Sequence, residues 1–134
     1  MRAAATDRAA IDPSRAGGPA FRTFFRIAEA WGLSVEEQMT LLGLTSRSTL
    51  YKWRHEPPTR LTPDLLERLS YLFGIYKDLQ VLLPDAEAAD GWVRRPNDAP
   101  AFGGRSALAR MLSGRVADLY VVRQYLDAER GGWP

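Results

Sequence analysis

The most informative local pattern lies at residues 34–54, which read SVEEQMTLLGLTSRSTLYKWR. Ser34 and Glu37 have the spacing of a capping box, in which each side chain accepts a hydrogen bond from the other residue's backbone N–H, so a helix is predicted to begin there. Gly43 is suited to end this helix because it adopts a left-handed backbone without a Cβ penalty. A second short helix is predicted at 47–55. Two short helices joined by a glycine-containing turn indicate a helix-turn-helix.

The 3.6-residue repeat gives the second helix of this motif two different faces. Leu50 and Trp53 point toward the core, whereas the opposite face and its flanks carry short hydroxyl side chains near the helix start and cations further along. Such a face suits a DNA major groove, where early residues read base edges and later ones touch phosphates. The predicted DNA-binding residues are Arg47, Ser48, Thr49, Tyr51, Lys52 and Arg54. The alternative is a plain helical hairpin whose polar face is only solvated.

Apolar residues recur at steps of three and four along most of the remaining chain, which predicts an all-α protein without a convincing strand. One such stripe runs from Phe21 to Trp31 and ends at Gly32. The other predicted helices run from Pro63 to Leu83, from Ser106 to Gly114 and from about Val116 to Gly131. Residues 92–100 are expected to form a loop.

The long predicted helix carries leucines at a near-heptad spacing from Leu65 to Leu83. This stripe either packs within the chain's own core or forms part of a dimer seam. Apolar side chains on other faces of the helix, Leu66 and Phe73 among them, favour core packing. The sequence leaves open whether the helix continues through Gly74, since glycine weakens a helix interior.

Composition divides the chain into three parts. Residues 1–18 are rich in Ala, Arg and Gly and offer too little apolar surface to offset the entropy of ordering them, so we predict a flexible N-terminal arm. Residues 19–83 are predicted to form the helix-turn-helix DNA-binding domain, and residues 84–134 a small helical C-terminal domain. Near the chain's end, Trp133 either packs against the core or anchors a partner.

The composition also argues against several classes of protein. The 134 residues include no cysteine and a single histidine, which leaves disulfides, thiolate zinc sites and histidine metal clusters without ligands. No catalytic constellation stands out either, so neither enzyme activity nor a cofactor is expected. Neither a run of roughly 18 apolar residues nor a secretory signal is present, so we expect a cytoplasmic protein without a membrane partner. The net charge of +2 does not by itself indicate nucleic-acid binding.

Three blocks of the C-terminal half carry a family resemblance, namely WVRRPN at 92–97, FGGRSAL at 102–108 and VRQYLDAERGG at 122–132. In this order and at this spacing they resemble the toxin-binding domain of Xre/MbcA/ParS-type antitoxins. Residues 21–83 resemble the Xre-like helix-turn-helix domain that precedes it in that family. The resemblance therefore covers nearly all of the chain except the arm.

The resemblance implies the antitoxin of a type II toxin–antitoxin pair. The partner it implies is a RES-domain toxin, which consumes NAD and whose active site the antitoxin's C-terminal domain covers. It also implies binding of operator DNA and repression of the antitoxin's own operon. Because single helix-turn-helix modules bind DNA weakly, we expect a homodimer or a larger complex with the toxin.

The resemblance also assigns roles to residues of the C-terminal half. The toxin-binding residues that it implies are Arg123, Tyr125, Asp127, Arg130, Gly131, Gly132 and Trp133. It also implies a set of residues that fix the shape of the domain, namely Trp92, Asn97, Gly103, Gly104 and Ser106.

Functions of other classes remain open at the level of the sequence. One is a stand-alone helix-turn-helix transcription regulator whose C-terminal domain dimerises or senses a small ligand. Another is an adaptor that binds a protein but no DNA. A reading frame for a RES domain beside this one would separate the antitoxin from the stand-alone regulator, and a loss of all promoter binding would favour the adaptor.

Overall fold

The computed structural model describes residues 15–131, and over that range it consists of seven α-helices, one 3₁₀ turn and no β-strand. The helices are α1 (Gly17–Ala30), α2 (Val35–Leu42), α3 (Arg47–His55), α4 (Pro63–Leu82), α5 (Ala86–Gly91), α6 (Ala107–Met111) and α7 (Val116–Glu129), and the 3₁₀ turn is Trp92–Arg94. The all-α prediction is confirmed. None of the described helices is both long enough and apolar enough to cross a bilayer.

The helix-turn-helix forms where the sequence predicts it because local side chains set its helix ends. The Ser34 hydroxyl accepts a hydrogen bond from the Glu37 N–H (3.0 Å), and the Glu37 carboxylate accepts one from the Ser34 N–H (2.9 Å). Gly43 ends α2 with a φ of +73°, in the left-handed region. The Ser46 hydroxyl then accepts a hydrogen bond from the Thr49 N–H (3.3 Å) and starts α3. The turn between the two helices is therefore fixed at both ends.

The first helix begins at Gly17, inside the segment predicted as a flexible arm. The Gly17 N–H donates to the Thr59 carbonyl (3.0 Å), and a Cβ on Gly17 would lie only 1.5 Å from the Pro58 carbonyl oxygen. This close contact with the loop after α3 orders the chain at a point where its low apolar content predicts mobility. Residues 1–14 of the predicted arm lie outside the described part of the chain.

The segment after α4 is more helical than the sequence predicts. The expected loop over 92–100 is wrong in its first three residues, which form the 3₁₀ turn, and α5 precedes them. Asp85 caps α5 by accepting a hydrogen bond from the Ala88 N–H (2.9 Å). A helix of six residues with one buried side chain, Ala89, is too short to display a helical period.

The long helix α4 is continuous through Gly74 and lies at the centre of the molecule. It packs along α7 and also contacts α1, α2 and α5. The buried positions of its leucine stripe are Leu65, Leu69, Leu72 and Leu79. Because these side chains are covered within a single chain, the core-packing interpretation of the stripe is confirmed.

The N-terminal and C-terminal halves share one apolar core, and Arg94 adds a polar link between them. Its guanidinium donates to the Trp31 carbonyl (3.0 Å) and to the Gly32 carbonyl (2.8 Å). It also donates to the Glu37 carboxylate (2.8 Å), which belongs to the capping box of α2. The 3₁₀ turn is thereby tied to the start of the helix-turn-helix.

Candidate functional site

The exposed face of α3 is the one predicted to contact DNA. Leu50 is completely buried, and Trp53 packs against Phe21 with ring centroids 5.0 Å apart. The side chains on the opposite side of the helix, Ser48 and Lys52 among them, are consequently exposed. The local amphipathic pattern thus orients α3 as the sequence predicts.

Two of the predicted DNA-binding arginines are held by neighbouring helices. Arg47 forms an ion pair with Glu36 of α2. The Arg54 guanidinium lies 4.6 Å from the centroid of the Phe25 ring of α1, and its Nη2 donates a long hydrogen bond (3.4 Å) to Gln38. Both arginines are nevertheless exposed, so they line the α2 side of the α3 face.

The other predicted DNA-binding residues differ in accessibility. Tyr51 is 45% exposed, whereas Thr49 is half-buried near the start of α3. The Ser48 hydroxyl lies 2.9 Å from that of Ser46 and is exposed. The surface that α3 offers therefore consists mainly of Ser48, Tyr51 and Lys52, with the two arginines along one edge.

A buried carboxylate of α4, Asp78, brings together three of the predicted toxin-binding residues. Asp78 is 1% exposed, and its Oδ1 accepts a hydrogen bond from Arg130 Nη1 (2.9 Å). Its Oδ2 lies 4.0 Å from Arg123 Nε, which also donates to both carboxylate oxygens of Asp127 (3.1 and 3.2 Å). We call these four residues, Asp78, Arg123, Asp127 and Arg130, the α4–α7 ion cluster.

Gly74 makes room for this ion cluster. A Cβ at position 74 would lie 1.9 Å from Arg123 Nη1, so the Arg123 guanidinium rests directly on the backbone of α4. There the same nitrogen is 3.5 Å from the Ser70 carbonyl oxygen. The glycine in the middle of a long helix is therefore explained by the close approach of an arginine.

The two carboxyl groups of the ion cluster are shifted in opposite directions. Burial raises the pKa of Asp78, and the neighbouring Asp127 raises it further, which together outweigh the hydrogen bond from Arg130. Burial also acts to raise the pKa of Asp127, but its interactions with Asp78 and Arg123 outweigh this effect and lower the pKa. Of the two carboxyl groups, the buried Asp78 is thus the one whose charged form the fold disfavours.

A second buried carboxylate, Asp118, fixes the beginning of α7. It accepts hydrogen bonds from Arg110 Nε (3.0 Å) and Arg115 Nε (3.3 Å). A hydrogen bond from Ser113 lowers the pKa of Asp118, burial opposes it, and the two arginines add to the lowering. Among residues 15–131, no three His, Asp or Glu side chains are grouped so that they could hold a metal ion.

Tyr125, another predicted toxin-binding residue, lies in an aromatic cluster. Its ring centroid is 6.2 Å from that of Trp92, with the planes 20° apart, and 5.1 Å from that of Phe102, edge to face. Tyr125 is half-buried in this position. It therefore joins α7 to the segment between α5 and α6 and offers only part of its ring to a partner.

The loop before α6 is a closed turn that contains residues expected to fix the shape of the domain. The Asn97 carbonyl accepts a hydrogen bond from the Gly104 N–H (2.8 Å), and its side-chain oxygen accepts one from the Ala99 N–H (2.9 Å). Gly103 and Gly104 have φ values of +58° and +88°, which favour glycine. Ser106 then caps α6 with its hydroxyl.

The chain beyond α7 holds the remaining predicted toxin-binding residues. Gly131, with a φ of +96°, is exposed and is the last residue described. Gly132 and Trp133 lie outside the described part of the chain. The two alternatives for Trp133, packing against the core or anchoring a partner, therefore both stay predictions.

Comparison with known proteins assigns both halves of the chain. Residues 10–74 match the antitoxin Xre-like helix-turn-helix domain, and residues 78–132 match the antitoxin Xre/MbcA/ParS C-terminal toxin-binding domain. The chain belongs to the Xre/MbcA/ParS antitoxin family. It is also 54% identical over 109 residues to a Sinorhizobium fredii (strain NBRC 101917 / NGR234) protein named "Uncharacterized protein y4oB", a similarity that spans 81% of this chain and 82% of that relative.

The junction between the two antitoxin domains lies inside α4. The helix-turn-helix match ends at Gly74, and the match to the toxin-binding domain begins at Asp78. These are the two positions of α4 that accommodate Arg123 and Arg130 of the toxin-binding domain. In this antitoxin, the continuous helix α4 therefore connects the helix-turn-helix domain to the toxin-binding domain, and the Arg123 guanidinium of the second domain rests on the α4 backbone at Gly74 of the first.

Proposed function

We propose that this antitoxin neutralises a RES-domain, NAD-consuming toxin of a type II pair by covering the toxin's active site, and that it represses its own operon. The observation that carries the proposal is the match of both halves, in order, to the helix-turn-helix and toxin-binding domains of one antitoxin family. The RES identity of the toxin rests on the family resemblance of the three C-terminal blocks. Such a protein acts by occupying surfaces, so the proposal includes no catalytic group and no cofactor.

The proposed toxin-binding surface includes the outer side of the α4–α7 ion cluster. The side chains of Arg123, Asp127 and Arg130 are 35%, 41% and 38% exposed, although that of their partner Asp78 is only 2% exposed. A charged side chain that is anchored on a buried partner loses less rotamer freedom when it binds a second protein. Arginine is also among the residue types enriched at binding hot spots. This part of α7 is therefore suited to a rigid contact.

The proposed surface continues beyond the last helix to Gly132 and Trp133. Gly131, which leads to them, is exposed, and its N–H donates to the Ala128 carbonyl at the end of α7 (3.1 Å). Tryptophan supplies a large apolar area and is the residue type most typical of hot spots together with arginine and tyrosine. We therefore include Trp133 as the apolar anchor of the surface.

On the DNA side, we propose that α3 enters the major groove of the operator. The exposed hydroxyl of Ser48 and the exposed Lys52 support this proposal, because they suit base edges and phosphates respectively. Helix-turn-helix modules read half-sites one helical turn apart, so the proposed DNA-binding form is a homodimer, alone or within a larger toxin–antitoxin complex. We accordingly propose that the antitoxin binds promoter DNA in the cytoplasm.

Co-expression with the reading frame adjacent to that of the antitoxin tests the proposal. Induction of the neighbouring protein alone should arrest growth, and the full antitoxin should restore it. The variant Trp133→Ala should restore growth less well, whereas Gln124→Ala, at an exposed position of the same half, should restore it fully. Growth arrest that the full antitoxin does not relieve would contradict the toxin-binding part of the proposal.

A promoter reporter tests the DNA-binding part separately. DNA from immediately upstream of the antitoxin's reading frame should be repressed by the full chain and derepressed by Lys52→Ala. Repression together with no relief of growth arrest would support the stand-alone regulator instead. Relief of growth arrest without repression would support a toxin-binding adaptor.

A further inference from the structure

A cavity of about 620 Å³ opens between α1, α2 and α3. Phe25 contributes to its apolar lining, and three arginines surround it, Arg22 and Arg26 from α1 and Arg54 from α3. Glu29 is the one carboxylate among the lining residues. The cavity has the size of a small-ligand site and lies next to the helix proposed to enter DNA.

The arginines around this cavity lack acidic partners. Within residues 15–131, none of the three forms an ion pair within 4 Å, and neither does Glu29. The hydrogen bonds that Arg26 and Arg54 donate, to Thr23 and Gln38, are long at 3.5 and 3.4 Å. By contrast, the arginines of the α4–α7 ion cluster each contact a carboxylate.

The positions of these arginines concentrate positive charge. Arg22 and Arg26 are four residues apart on α1, so they lie on the same face, where like charges repel. The Arg54 guanidinium lies over the Phe25 ring, which also lines the cavity, and this contact favours a position beside the cavity. Three guanidinium groups with one carboxylate between them leave a net positive site that an anion would stabilise.

We propose that this cavity binds the oxygens of a phosphate group. Guanidinium groups form planar, charge-assisted pairs of hydrogen bonds that match phosphate oxygens. Because Arg54 belongs both to the cavity and to the edge of the α3 face, the phosphate source that we favour is the DNA backbone beside the groove that α3 occupies. This choice of source rests on the proposed function. A free phosphate-bearing ligand would use the same chemistry.

Titration with pyrophosphate tests the phosphate site without DNA. In the full chain, the Nε–Hε signals of the three arginines should shift and saturate in NMR spectra recorded at low salt. The double variant Arg22→Gln/Arg26→Gln should bind pyrophosphate at least about tenfold more weakly, and Lys77→Gln, which removes an exposed charge of α4 outside the cavity, should not. Replacement of both arginines by lysine should retain part of the affinity because charge remains without the planar fork.

The salt dependence of DNA binding then identifies the source of the phosphate. With duplex DNA from upstream of the antitoxin's reading frame, the double glutamine variant should reduce the slope of log K against log salt by about 1 for each DNA phosphate that it no longer neutralises. If the double variant had the same slope as the parent chain, and the parent chain bound pyrophosphate, the site would be assigned to a free phosphate-bearing ligand. The absence of any saturable pyrophosphate shift, or an equal affinity of the double variant read from its Arg54 signal, would overturn the phosphate site. If the full chain bound no DNA, the proposed DNA function would fail. The pyrophosphate titration would still show whether the cavity binds a phosphate group.

Discussion

Arg130 at the end of α7 and Asp78 in α4 are 52 residues apart in the sequence, yet they are joined by a hydrogen bond of 2.9 Å. Asp78 is almost completely buried, so this pair anchors the last turn of α7 to the helix that the two domains share. Gly131, Gly132 and Trp133, which are proposed to bind the toxin, follow Arg130 directly in the sequence. Stability and toxin binding are therefore expected to depend on the same carboxylate.

Replacing Asp78 with alanine should lower the free energy of unfolding by about 1–3 kcal/mol, because Arg123 and Arg130 lose their buried partner. The matched variant Asp127→Ala removes a carboxylate that is 41% exposed. Its cost should stay below about 1 kcal/mol, as for other exposed ion pairs. Urea denaturation at pH 7 measures both changes, and equal losses would contradict the special role of the buried member.

Substitution by alanine should affect stability strongly at one glycine and little at another. In Gly17→Ala the new Cβ would lie 1.5 Å from the backbone oxygen of Pro58, and this oxygen cannot move unless the loop is displaced. We therefore expect the free energy of unfolding to fall by about 1–3 kcal/mol. In Gly74→Ala the nearest atoms belong to the guanidinium of the Arg123 side chain, which can shift more easily than a backbone oxygen. The higher helix propensity of alanine, worth about 1 kcal/mol, should then offset most of the cost of displacing this side chain.

Thermal melting of the two glycine variants checks this contrast. The melting temperature of Gly17→Ala should fall clearly, and that of Gly74→Ala should stay near the parent value. A large loss in Gly74→Ala would mean that the interactions of Arg123, rather than the space that it occupies, dominate stability at this position.

The ion pair between Glu37 and Arg94 should make part of the stability depend on pH. Burial raises the pKa of Glu37, but the hydrogen bonds from Arg94 and from the Ser34 N–H outweigh it, so the pKa is lowered in the folded protein. Such a carboxylate stabilises the fold above its unfolded pKa of about 4.3, and this contribution is lost as the pH falls through the folded value. In Glu37→Gln, stability should accordingly fall less than in the parent between about pH 5 and pH 3.

A matched control for this substitution is Glu87→Gln. Glu87 is exposed and forms no ion pair within the described residues, so the variant removes a carboxylate and leaves the Glu37–Arg94 pair in place. At pH 7, Glu37→Gln should cost less than about 1 kcal/mol because its partner Arg94 is partly exposed. A parent-like pH profile in Glu37→Gln would show that the ion pair does not contribute in this range.

Binding of operator DNA should weaken in Arg47→Ala and Lys52→Ala. Lys52 is expected to contact phosphate, so its removal should reduce the salt slope by about 1, whereas Lys77→Ala should leave the slope unchanged. Gel shifts with upstream DNA at several salt concentrations measure these slopes. Unchanged affinity of both variants at every salt concentration would refute the placement of α3 in the groove.

The features of the fold that are encoded within a few residues were predictable from the sequence. Ser34, Glu37 and Gly43 set the ends of α2 through contacts within one helical turn, and the apolar repeat of α3 determines which face is buried. For the same reason the short helix α5, which has no repeat to display, was not predicted.

The contacts that connect distant parts of the chain were not predictable in this way. Asp78 and Asp118 interrupt apolar repeats beside Leu79 and Leu119, and an aspartate at such a position is the one signal that could have indicated a buried ion pair. The sequence could not name their partners, since Arg130 meets Asp78 only after α7 has packed along α4. Arg123 and Arg130, which are predicted to bind a toxin, therefore also take part in an internal ion cluster.

The proposal as a whole depends on the capture of a toxin by the C-terminal half. The purified antitoxin should be titrated into the proposed partner, the RES-domain toxin expected from the adjacent reading frame, with binding and consumption of NAD recorded together. We predict saturable binding that stops NAD consumption, weakened at least about tenfold by Trp133→Ala and unaffected by Lys52→Ala. An absence of association, with NAD consumption continuing at its original rate, would contradict it.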